Sequence, residues 1–183
     1  MKKGNQVFSL LAEALEYPQE GWVRSVESGV QAIAGEFPSA GKDIMRFYES
    51  VARESLDKLE ETYTQTFDFN PTSCLYTAYQ IWGENHKRNS FMAKLNGIYK
   101  EHGYSSGKEL PDHLPTMLKF LALLGEDNDE LKITLLKDSI VPAVIKLDEV
   151  GFKESKNYYK DLVCASRKIL EEKLEEAMEK KNK

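Results

Sequence analysis

The stretch EETYTQTFDFNPTSCLYTAYQIWG, residues 60–83, decides how the chain is read. Up to Phe67 the apolar residues fall at helical spacing, with Leu56, Leu59, Tyr63 and Phe67 on one stripe. Asp68–Pro71 then stops the helix, because the residue before a proline is pushed out of the α region. Leu75, Tyr76, Tyr79 and Trp82 resume the spacing. Thr72 or Ser73 stands where an N-cap belongs, and Gly83 supplies the stop. The unit is helix–break–helix. Nothing in it alternates with the two-residue period of a strand.

The same period extends in both directions. Val7, Leu11, Ala14 and Leu15 give a first helix closed by Pro18, and Trp22, Val26, Val30 and Ile33 a second, ended near Gly35 and Pro38. Ile44, Phe47, Tyr48 and Val51 give a third, with a short break near Glu54–Ser55. Beyond Gly83, Phe91, Leu95, Ile98 and Tyr99 mark a helix with Gly103 just past its end. Residues 103–111, GYSSGKELP, are the most loop-like stretch. Asp112 is expected to cap the next helix, which carries Leu114, Met117, Leu118, Leu121 and Leu124, with Pro115 in its first turn. Leu131, Leu135 and Ile140 start another, kinked or restarted at Pro142 and ended at Gly151. Ser155 is expected to begin the last helix, whose charged tail, residues 171–183, is expected to fray. The fold class is therefore all-α: one domain over residues 1–183, a multi-helix globule or bundle with a hinge loop at about 103–112.

Composition narrows the function classes. A chain of 183 residues with 41% hydrophobic and 30% charged residues builds a core without staples. The net charge of -5 lacks the basic face that nucleic acid requires. It favours a basic partner instead. The two cysteines, Cys74 and Cys164, form no CxxC pair, and Cys74 reads as a small buried residue rather than the partner of His86. No apolar run approaches the roughly 18 residues of a membrane span. The first residues carry Glu13 and Glu16 where a signal peptide would be apolar, so they read as a first helix and the cytoplasm as the compartment.

Catalytic patterns are missing. Three histidines, His86, His102 and His113, show no metal-ligand spacing, and Asp112-His113 reverses the order of a His-Asp phosphohydrolase pair. There is no P-loop, GxGxxG or GxSxG. No catalytic residue, metal or cofactor is assigned.

Two constellations remain. Residues 60–83 gather Tyr63, Phe67, Phe69, Tyr76, Tyr79 and Trp82, interleaved with Glu60, Glu61 and Asp68. Such a stripe suits a helical core. Aromatic and acidic side chains together also suit a groove for a basic amphipathic helix, and individual residues can serve both. The second constellation is ELPDHLP, residues 109–115, where two prolines stiffen the chain around Asp112 and His113.

YTQTFDFNP (63–71), YQIWGENHKR (79–88) and ELPDHLPTMLKFLAL (109–123) together resemble the NarJ-type chaperones, the nitrate reductase delta-subunit branch of the TorD/DmsD redox enzyme maturation proteins. The resemblance spans about residues 7–170; its one departure is Thr66, where the wider superfamily has Leu. It implies a TorD-like all-α fold with a hinge loop. It also implies a job: binding the N-terminal segment of an apo molybdenum oxidoreductase catalytic subunit, a twin-arginine signal or its relic, until molybdopterin is inserted. On this resemblance the client-binding positions are Tyr63, Phe67, Asp68, Asn70, Glu109, Pro111, Asp112, His113 and Pro115, to which the aromatic–basic stretch adds Tyr76, Tyr79, Trp82 and Arg88. The chain is expected as a monomer or a helix-swapped dimer. The alternative is a helical adaptor that binds folded partners and has no link to redox enzymes.

Overall fold

A computed structural model describes residues 3–125, 128–153 and 156–181. The helices follow the apolar spacing: α1 (Lys3–Ala14), α2 (Trp22–Glu36), α3 (Pro38–Val51), α4 (Leu56–Tyr63), α5 (Thr77–Trp82), α6 (His86–Glu101), α7 (Leu114–Leu123), α8 (Asp129–Leu135), α9 (Val141–Lys146) and α10 (Tyr159–Lys181). No strand occurs among the described residues. The all-α reading holds, and the molecule is one globule: α3 packs along α10 and α2, and α1 along α7.

Three of the joints are wide, π-type turns, at Thr64–Asp68, Leu136–Ile140 and Leu147–Gly151. In two of them the amide of Phe69 donates to the Thr64 carbonyl (3.1 Å) and that of Phe152 to the Leu147 carbonyl (2.9 Å), five residues back. Helical periodicity alone does not show such turns, but they often mark functional places in helical proteins. At Pro142 the chain neither breaks nor restarts; it stays helical from Asp129 to Gly151. The wide turn just before Pro142 takes up the mismatch of a residue with no N–H.

The last helix departs from expectation at both ends. Ser155 lies outside the described residues, and α10 begins at Tyr159. Among the described residues the charged tail is helical, α10 continuing to Lys181. Leu174 packs on the core, Lys173 pairs with Glu176 (2.9 Å) and lies over the Phe37 ring (5.1 Å), and Lys181 reaches Glu130 at 3.0 Å. These anchors hold a segment whose composition alone reads as solvated.

The centre of the core is aromatic. Tyr159 meets Phe67 (4.7 Å between ring centroids), Phe47 (5.7 Å) and Tyr63 (6.0 Å), mostly edge to face, the arrangement that the ring quadrupole favours. Gly151 closes the far side. A Cβ there would stand 2.6 Å from the carbonyl oxygen of Thr72, so the wide turn can rest on the 70–76 segment only through a glycine.

Candidate functional site

The two constellations meet through their backbones. After the wide turn at 64–68 the chain does not re-enter a helix at Thr72 or Ser73 as the capping pattern suggests. Helix α5 starts at Thr77, and ahead of it the chain bends at Leu75 and is extended at Tyr76. Ser73 is used differently: its hydroxyl donates to the Thr66 carbonyl, tying the segment to the end of the turn. The freed Leu75 carbonyl accepts the amide of Leu114 (2.7 Å), and the amide of Thr77 donates to the Asp112 carbonyl (2.8 Å). Tyr76 and His113 thus form a short antiparallel bridge, with ring centroids 5.5 Å apart.

Polar residues inside the helices fix this junction. Gln80 donates from its amide to the Cys74 carbonyl (2.9 Å), holding the 71–74 segment from within. Ser139 donates to Thr77 Oγ1 (3.1 Å), and Lys146 to the Gln80 carbonyl (2.5 Å). On the other side the Tyr99 hydroxyl donates to the Pro111 carbonyl (2.9 Å). None of these positioning residues stood out in the sequence. The available signal was a polar residue on an apolar face, as at Thr77 and Gln80, both buried. Thr66 also gains a reason: it donates to the Thr62 carbonyl and accepts from Asn157, both at 2.5 Å, which a leucine could not do. Cys74 is buried, its thiol lying 3.6 Å from the Gln80 amide, and burial raises its pKa.

Asp112 is not the cap of α7. His113 is the N-cap, in extended geometry and with no side-chain cap bond. The Asp112 carboxylate turns inward and is fully enclosed. Arg88 Nε stands 3.6 Å from its Oδ2, too far for a hydrogen bond, and neither carboxylate oxygen makes one of ordinary geometry. Burial raises the Asp112 pKa, opposed by Arg88 and by the nearby amides of Asp112 and Ala78. The Arg88 guanidinium lies over Tyr79 (5.4 Å) and Tyr76 (5.8 Å). It is brought there by Gly83, whose φ of 64 and ψ of -154 turn the chain between α5 and α6 through backbone space open essentially to glycine.

The positions named from the sequence therefore separate. Tyr76, Tyr79, Arg88, Glu109, Asp112 and His113 come together around the bridge. Asp68 stands near enough to Glu109 and His113 for their charges to act on it. Tyr63 and Phe67 belong to the core; the Tyr63 hydroxyl donates to the Leu15 carbonyl (3.1 Å). Pro111 and Pro115 are buried, Asn70 accepts from the Thr72 amide (3.1 Å) in a tight turn, and Trp82 packs on Phe91 (5.4 Å). Phe69 belongs to the aromatic stretch but not to the contact positions the sequence names, yet 78% of it is exposed. Leu110, across the junction, is 42% exposed.

The rim is acidic. Burial, together with the Glu109 charge, raises the pKa of Asp68. Tyr76 donates to Glu109 (3.4 Å), and burial beside that carboxylate pushes its pKa up to about 12. Glu61, by contrast, is taken up by Lys58 at 2.8 Å.

Among the described residues no group of three or more His, Cys, Asp or Glu could hold a metal, and no helix is long and apolar enough to cross a membrane. With this geometry in view, comparison with known proteins is decisive. The model of the nitrate reductase delta subunit family matches residues 28–162, which contain both constellations. The chain belongs to the nitrate reductase delta subunit family. Within that family it is 35% identical over 118 residues to the probable nitrate reductase molybdenum cofactor assembly chaperone NarJ of Bacillus subtilis (strain 168), covering 63% of this chain and 64% of the relative. It is 28% identical over 122 residues to NarJ of Escherichia coli (strain K12), covering 64% of this chain and 51% of that one. It is also 24% identical over 123 residues to the probable chaperone NarW of the same strain, covering 67% and 52%. The matches thus span about half to two thirds of the length of these relatives.

One pH effect follows for this delta-subunit chain. Burial lowers the His113 pKa below its ordinary value, against the opposing pull of Glu109, Glu16 and Asp112. A buried neutral histidine contributes stability that is present above the unfolded pKa of about 6.5 and lost as pH falls through the lower, folded pKa. Between pH 7 and pH 5 the wild-type melting temperature should fall more steeply than that of His113→Gln. Parallel slopes in thermal melts would remove His113 as the source.

Proposed function

We propose that this chain is an assembly chaperone: it holds the N-terminal segment of an apo molybdenum oxidoreductase catalytic subunit in the cytoplasm, for cofactor insertion and assembly. It is not an enzyme. Family membership and the names of the NarJ and NarW relatives support the class of activity. The observation that carries the site is the backbone bridge between the two constellations. Phe69 and Leu110, exposed apolar residues next in the chain to Asp68 and Glu109, come from the two constellations it joins, and the Asp68 and Glu109 charges are close enough to interact. An apolar step with an acidic margin fits a basic amphipathic segment.

Carboxylates at a rim attract mainly through solvent, screened with a Debye length of about 10 Å at 0.1 M salt. Calorimetry of a client N-terminal peptide should therefore show affinity falling as salt rises, mostly through slower association. Salt-independent affinity would leave only the apolar contact. Recovery from extract of folded partners, with no molybdoenzyme subunit held by its N-terminus, would favour the adaptor reading instead.

A further inference from the structure

The pair Arg88–Asp112 is badly matched for two buried charges. Ion pairs of arginine with carboxylates ordinarily close to about 2.7–2.9 Å, often through two parallel hydrogen bonds. Here the closest approach is 3.6 Å, and neither Arg88 Nε nor the Asp112 oxygens make a hydrogen bond of ordinary geometry; only the nearby amides of Asp112 and Ala78, with Arg88, favour the charged carboxylate. Enclosed charges without such bonds are costly, so the site is not optimised for the side chain now in it. The position of Arg88 adds to this. It lies in the first turn of α6, which holds no acidic residue, at the end of the helix dipole that repels cations. Its side chain is 15% exposed, whereas that of Asp112 is fully covered, so Arg88 acts as the lid.

We infer that Tyr76, Tyr79 and Asp112 form a binding site for a guanidinium, occupied by Arg88 in the resting chain and taken over by an arginine side chain of the bound partner segment. Two aromatic faces and one carboxylate are a good receptor for a planar cation, which is weakly hydrated and stacks on rings. An incoming arginine, not tethered to a helix N-terminus, can approach Asp112 with its fork aligned. The displaced Arg88 then swings to solvent from the exposed start of α6. This inference rests on the proposed function only for the origin of the arginine; the receptor itself is a property of the chain.

The test uses the full chain and two small probes. N-acetylargininamide carries the guanidinium; N-acetylcitrullinamide has the same shape without the charge. Arg88→Met removes the resident cation and keeps its stem. Titrations followed by the ring signals of Tyr76 and Tyr79 should show saturable binding of the arginine probe to Arg88→Met, at least about fivefold tighter than to wild type. The citrulline probe should not bind. Equal affinity of the arginine probe for variant and wild type, or equal binding of both probes to the variant, overturns the proposal. If Arg88→Met does not fold, Arg88→Lys serves: it keeps the charge, loses the planar fork and should show a smaller gain of the same sign, and no gain overturns the proposal equally. A client peptide that fails to bind wild-type chain would sink the proposed function, and the probe titrations would still decide the receptor.

Discussion

Phe67→Ala should destabilise the protein by about 3–5 kcal/mol, the range for deleting a large aromatic ring from a closed core. Phe67 is 3% exposed and its ring meets Tyr63 (4.9 Å), Tyr159 (4.7 Å) and Phe152 (6.1 Å). These partners come from α4, α10 and the loop after the wide turn at 147–151, so they are too firmly held to collapse into the hole. A loss of this size is a large share of the roughly 5–15 kcal/mol expected for a domain. Urea unfolding of wild type, Phe67→Ala and Phe67→Leu measures it, with Phe67→Leu losing much less because it refills most of the volume. If instead Phe67→Ala unfolds within about 1 kcal/mol of wild type, the aromatic cluster is not the centre of the core.

That expectation takes the core side of a reading that the sequence left open between core and groove. Tyr63 and Phe67 lie in the same aromatic stretch as Tyr76 and Tyr79, on the helical stripes either side of the break at Asp68–Pro71, and spacing does not say which of the two stripes is core. The difference arises at Thr64–Asp68, where one residue is added to the turn. Upstream rings point inward, and the chain leaves the helix before Leu75. No periodicity shows this, because the signal is a local change of hydrogen-bond register, seen where the Phe69 amide donates to the Thr64 carbonyl five residues back. The helices were legible for the opposite reason: each apolar stripe repeats over many residues, and chance does not sustain it. Asp112 failed in an instructive way. An aspartate two residues before Leu-Pro has the chemistry of a cap, and only tertiary structure shows that Thr77 takes up the Asp112 carbonyl and Leu75 the Leu114 amide, while the carboxylate turns inward toward Arg88. The motifs pointed to the correct region, but they did not separate the residues that build it from those that face outward.

Phe69→Ser together with Leu110→Ser should leave stability within about 0.5 kcal/mol of wild type, because exposed side chains away from special features contribute little. In the proposed chaperone the same pair should weaken binding of a client N-terminal peptide by roughly thirtyfold, since truncating an aromatic anchor at an interface commonly costs about 2 kcal/mol or more. The reasoning begins with cost. Phe69 keeps 78% of its surface in water directly after a helix end whose other aromatics are buried, and its amide already closes the turn without help from the ring. A ring that contributes nothing to the fold and carries a hydration penalty gains a use only when a partner covers it. Leu110 stands across the bridge, on the segment pinned by the Pro111–Tyr99 bond, so the two side chains present apolar surface from both constellations at once. Single variants divide the effect: Phe69→Ser should carry the larger part, having more area to bury. Thermal melts and peptide titrations on the same preparations test both halves. Unchanged affinity in the double variant, with melting unchanged, would move the client site away from this junction, while leaving membership of the family and the fold of the chain as they stand.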